Sequence, residues 1–88
     1  MSSDQDGTGV RAVVEVVARA LTDRPDQVTV VETPQKGGTL VELFVGAGEL
    51  GRVIGRQGRT AAALRTLAST AGEREGKTVT LEIRDGRP

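Results

Sequence analysis

The chain contains no cysteine and no histidine. Disulfides, thiolate nucleophiles, imidazole bases and the usual zinc ligands are thereby removed together, which argues against a metal or triad enzyme. No catalytic residue, cofactor or metal ligand is expected. Aromatic residues are almost as scarce: Phe44 stands alone, with no Trp or Tyr, so no run of rings exists on which a ligand could stack. Net charge is also missing, since twelve basic residues balance twelve acidic ones. No apolar run approaches the roughly 20 residues that span a bilayer, and Met1 to Gly7 has neither the basic nor the apolar part of a signal peptide. A cytoplasmic, soluble protein without a membrane partner is the expectation.

The 88 residues suffice for one small domain. Such a chain buries only about 60% of its unfolded surface, giving a stability on the order of a few kcal/mol and a reason to oligomerise.

The charge that is present is unevenly placed. From Glu49 to Thr66 four arginines (Arg52, Arg56, Arg59, Arg65) face one glutamate, and the acids concentrate elsewhere. In that region Gly51-Arg52-Val53-Ile54-Gly55-Arg56-Gln57-Gly58-Arg59 interleaves glycines, aliphatics and arginines, and a run of helix formers from Thr60 to Ala71 follows. Bare backbone is thus set against the amino end of a helix, where unpaired amides and the helix dipole attract anions.

Periodicity supplies the surroundings. Residues 1–8 have nothing to bury and read as a disordered tail, with the domain over 9–85 and a short tail over 86–88. Val10, Val13, Val14, Val17, Ala18 and Leu21 mark one face of a helix over Gly9 to Leu21, stopped by Thr22-Asp23-Arg24-Pro25. Gln27 to Thr33 and Thr39 to Val45 alternate as strands around a five-residue turn, Pro34 to Gly38, which predicts an antiparallel hairpin. A short helix over Glu49 to Ile54 precedes the glycine loop. The long helix is expected over Arg59 to Ala71, stopped by Gly72, and the last strand over Thr78 to Arg84. Ala71 to Thr78 fits a relaxed P-loop pattern. It runs from helix to strand, however, the reverse of what phosphate binding by that motif requires.

Val53-Ile54-Gly55-Arg56-Gln57-Gly58, set between two helices in the order αββααβ, resembles the KH domain in its prokaryotic type II arrangement. Motif, order and length together resemble the KhpA family of small bacterial single-KH proteins, from about Val10 to Arg84. The resemblance implies a two-layer α+β fold, a three-stranded sheet covered on one face by helices. It implies single-stranded RNA as the ligand, with the GxxG loop clamping a four-nucleotide backbone stretch. It also implies a non-enzymatic RNA chaperone or post-transcriptional regulator, acting as a homodimer or with a KhpB (Jag)-like second KH protein. A protein-interaction or dimerisation module, or a single-stranded DNA binder, are the alternatives.

On this reading Gly55 and Gly58 let the backbone approach a phosphodiester, and the amides of Gln57 to Arg59 donate to its oxygens. Arg56 adds charge and Gln57 a hydrogen bond, while Arg52 and Arg59 widen the positive surface. Leu50, Val53 and Ile54 form an apolar wall for the bases, opposite the backbone of the last strand. Thr60 and Ala61, where KH domains often carry a branched apolar residue, make the groove floor shallow.

Overall fold

The computed structural model describes residues 9–87; the tail read over residues 1–8 lies outside them. Helix α1 spans Gly9–Leu21 and buries Val10, Val14 and Ala18, the centre of its apolar stripe. Pro25 then opens a single tight turn, Pro25–Gln27, because its fixed φ suits a first helical position. Strand β1 is therefore delayed to Thr29–Gln35, two residues beyond the expected start.

Strand β2, Gly38–Val45, pairs antiparallel with β1 from Thr29↔Phe44 to Gln35↔Gly38. The expected hairpin is present, but only Lys36 and Gly37 close it, with Gly37 at φ +84 supplying the left-handed residue. Pro34 sits inside β1 without breaking the sheet, since β1 is an edge strand that needs no outward donor there.

The chain continues through α2 (Leu50–Ile54), a tight turn (Arg56–Gly58), α3 (Arg59–Arg74) and β3 (Val79–Asp85). β3 lies parallel to β2, from Thr39↔Val79 to Val45↔Asp85, and the sheet order is β1-β2-β3. Parallel neighbours need a crossover, and here α2, the glycine loop and α3 form it. Val30, Val41, Leu43, Val45 and Leu81 face the helices and pack with Val10, Val14, Ala18, Val53, Leu64 and Ala68 in one core. The result is the two-layer α+β arrangement, with helices on one face of a three-stranded sheet.

Gly72 does not stop α3. It is buried within the helix, and a Cβ there would lie 2.5 Å from Val79 Cγ2 and 3.1 Å from the Lys77 carbonyl, so the glycine allows α3 to approach β3. Termination falls to Gly76 at φ +72. The Gly76 amide donates to the Glu73 carbonyl (3.1 Å) and the Lys77 amide to that of Gly72 (2.8 Å), the paired bonds of a Schellman ending.

Candidate nucleic-acid interface

A five-residue helix is too short to hold its own position. Helix α2 is held by the residue before it. The buried Glu49 accepts hydrogen bonds from the Thr22 hydroxyl and from the Asp23 amide (2.7 Å), tying the entry of α2 to the end of α1. The Thr22 bond, the Asp23 amide and the nearby Arg52 together hold the Glu49 carboxyl below its ordinary pKa. Nothing in the local pattern marks this glutamate as an anchor, because its partners lie more than twenty residues away.

The loop that follows depends on left-handed backbone. Gly55 has φ 76 and ψ 174, a region open essentially to glycine. Gln57 (φ 57, ψ 23) and Gly58 (φ 73, ψ 13) are both left-handed, and Gln57 is the one non-glycine residue with positive φ among the described residues. The Gly58 amide donates to the Gly55 carbonyl (3.1 Å) and the Arg59 amide to that of Arg56. These two amides, expected to face a ligand, are thus engaged inside the turn. Arg56 and Gln57 open the turn, where amides lack partners within it, and both residues are exposed.

From Leu50 to Gly72 the chain has four arginines and no acid. Arg52 is neutralised from outside that segment, by Asp23 at 2.8 Å and Glu49 at 3.7 Å. It therefore adds less to the positive surface than its place in the sequence implies. Arg59 donates to the Gln57 side-chain oxygen (2.9 Å), so that Gln57 braces an arginine. Arg65 donates through Nε to the Leu81 carbonyl (3.3 Å). Among the described residues no carboxylate pairs with Arg56, Arg59 or Arg65.

Of the expected apolar wall, Leu50 and Ile54 are half-buried and present surface. Val53 does not. It is fully buried in the core, as the inward position of α2, and offers nothing to a ligand. Opposite runs the free edge of β3. Thr78 and Gly86 bond toward β2 (Thr39 amide to Thr78 carbonyl, Gly86 amide to Val45 carbonyl, both 2.8 Å), so by strand alternation Leu81 and Ile83 direct their polar backbone outward. Arg65 reaching the Leu81 carbonyl agrees with that alternation.

An αββααβ domain with a GxxG loop joining α2 to α3 is a type II KH domain. The chain belongs to the KhpA/KhpB family: the family model described as "KhpA/KhpB, KH domain" matches residues 11–83. It is 43% identical to the RNA-binding protein KhpA of Aquifex aeolicus (strain VF5) over 76 residues, covering 86% of this chain and 96% of that one. The RNA-binding protein KhpA of Treponema pallidum (strain Nichols) is 42% identical over 73 residues, covering 83% and 91%. Among solved structures, a crystal structure of Aquifex aeolicus Era bound to GDP.AlF4- superposes with a TM-score of 0.59 at 17% identity. That match covers 90% of this chain and 31% of the longer one, and it bears on the fold alone.

Proposed function

We propose that the protein binds single-stranded RNA and acts by that binding, with no chemistry of its own. The observation that carries this is the loop: left-handed backbone from Gln57 to Gly58, exposed residues Arg56 and Gln57 at the opening of the turn, and Arg56 and Arg59 without carboxylate partners among the described residues. Gly55 to Gly58 grips the phosphate backbone, and Leu50, Ile54 and the edge of β3 support the bases. The names of the 43% and 42% identical relatives point the same way. Few phosphates are neutralised, so one domain binds weakly. Useful affinity then comes from a second KH domain, another copy or a KhpB (Jag)-like partner, through effective concentration. An RNA chaperone or post-transcriptional regulator of the cytoplasm fits that behaviour.

The test is the double variant Arg56→Asp with Gln57→Asp. Aspartate tolerates left-handed backbone, so the fold survives, while two exposed carboxylates repel phosphate. Fluorescence polarisation at low salt should show binding lost and the circular dichroism spectrum kept. Unchanged affinity would remove the loop from the interface. A DNA oligonucleotide of the same sequence, bound as tightly as the RNA, would make single-stranded DNA an equal ligand.

A further inference from the structure

Arg65 is the α3 arginine that reaches across to the sheet. It lies six residues beyond Arg59, which at about 1.5 Å per residue places it about 9 Å along the helix from the loop, within reach of a base on a clamped four-nucleotide stretch. Its Nε is held by the Leu81 carbonyl at 3.3 Å, on the strand edge that borders the groove. That bond anchors the guanidinium at Nε and leaves its two terminal nitrogens without a hydrogen-bond partner among the described residues. No carboxylate competes for them among the described residues.

A guanidinium anchored this way is a donor-only fork. It can satisfy both prongs on a base edge with two adjacent acceptors, which guanine offers through O6 and N7 and cytosine through N3 and O2. Adenine and uracil place a donor beside each acceptor on the matching edges, so one prong would meet N–H against N–H. We infer that Arg65 is a specificity-determining residue, selecting guanine or cytosine over adenine and uracil in the groove between α3 and β3. This rests on the proposed clamp at Gly55 to Gly58 and assigns a separate task. The loop holds phosphate without regard to sequence, and Arg65 reads a base.

The experiment compares four short single-stranded RNAs of equal length, an oligouridylate, an oligoadenylate, an oligocytidylate and an alternating uridine–guanosine strand. They are measured by fluorescence polarisation against the wild type, Arg65→Lys, Arg65→Ala and the Arg56→Asp/Gln57→Asp double variant. The wild type should favour the guanosine or the cytidine strand over the oligouridylate and oligoadenylate by about 10-fold, the scale of one bidentate pair. The guanosine and cytidine arms show which acceptor pair is read. Arg65→Lys keeps the charge and loses the fork, so it should bind the oligouridylate like the wild type while its preference falls below about 3-fold. Arg65→Ala should show the same flattening at lower overall affinity. A purely structural role at Leu81 would lower the melting temperature and leave the ratios intact. Clamp-dependent binding with no base preference in the wild type, or a preference that survives Arg65→Lys, overturns the inference and leaves the clamp standing. Failure of the wild type to bind any strand, or binding indifferent to the double variant, overturns the clamp and this reading with it.

Discussion

Alanine at Gly55 and alanine at Gly58 should have very different costs, although both positions belong to the same motif. At Gly55 the backbone angles, φ 76 and ψ 174, lie where side chains are essentially not accommodated, a strain of about 1–3 kcal/mol. A Cβ there would also overlap the Thr60 hydroxyl and lie 2.6 Å from Thr60 Cβ and 3.1 Å from the Thr60 amide nitrogen. Rotating the hydroxyl does not move the last two atoms, so the start of α3 must shift. Overpacking of this kind adds about 1–3 kcal/mol. At Gly58 (φ 73, ψ 13) a Cβ meets nothing within 4 Å, so only the left-handed penalty of about 1–2 kcal/mol applies, and lost freedom in the unfolded chain offsets part of it.

Gly55→Ala should therefore cost about 3–5 kcal/mol and Gly58→Ala about 1 kcal/mol. At about 4–8 °C per kcal/mol for a domain of this size, Gly58→Ala melts several degrees lower, and Gly55→Ala is largely unfolded or nearly so at 37 °C. Urea unfolding followed by far-ultraviolet circular dichroism is the suitable assay, since the chain has no Trp or Tyr to report by fluorescence. Equal destabilisation by the two alanines, or a Gly55→Ala loss under about 1 kcal/mol, would refute the contact argument at Thr60. Gly58→Ala also separates fold from function, because it should fold and still bind RNA more weakly than the wild type.

With Arg56 and Arg59 beside the loop free of carboxylates among the described residues, the slope of log K against log salt on a single strand should be about −1.4, at roughly 0.7 per phosphate, over about 50 to 200 mM salt. Arg52→Ala should leave that slope nearly unchanged, since Arg52 is already paired to Asp23 and Glu49. Gly72→Ala should destabilise by about 1–3 kcal/mol in urea despite alanine's better helix propensity, because of the overlap with Val79. Glu49 has a folded pKa below its unfolded value, so it stabilises the native state above the ordinary carboxylate range, an effect lost as pH falls through the lowered pKa. The melting-temperature gap between wild type and Glu49→Gln should therefore be open near pH 7 and narrow as the pH falls through the ordinary carboxylate range and then the lowered pKa.

How far the sequence could be read depended on the range of the interaction that decided each feature. The α1 stripe at Val10, Val14 and Ala18 and the alternation of Val41, Leu43 and Val45 are local periodicities, and they survive into the core unchanged. Boundaries moved where a neighbouring strand or helix overruled a local signal. Pro34 looked like a turn and stays in β1 because the edge does not need its donor, and Gly72 looked like a helix stop and is a packing contact with Val79. The glycine loop was legible as a turn for the same reason as α1, since its left-handed backbone lies within four consecutive residues. The groove wall was not. Leu50, Val53 and Ile54 share one side of a short helix, and only packing against the sheet decides that Val53 turns inward. Arg52 counted as a free charge until the fold brought Asp23 to it.

The same pairing logic explains how a chain of zero net charge can leave one segment positive. Glu15 holds Arg19, Glu32 holds Lys77, Glu42 holds Arg84 and Asp23 holds Arg52, at 2.8–3.0 Å. The more exposed of these pairs, Arg19 with Glu15 and Arg52 with Asp23, contribute little to stability, at most about 1 kcal/mol each. Their effect is on the field. Screening confines surface charge to about 8–10 Å in physiological salt, so a remote acid neither helps nor harms the loop, and only the local balance matters there. By spending acids on the cations of α1, α2, β3 and the turn before β3, and placing none from Leu50 to Gly72, the fold leaves Arg56, Arg59 and Arg65 in one segment. A uniformly basic domain of this size would bind any polyanion over its whole surface. On the proposed reading, the acid-free segment sets its charge beside the loop, and selectivity comes from what lies next to it, the β3 edge and Arg65.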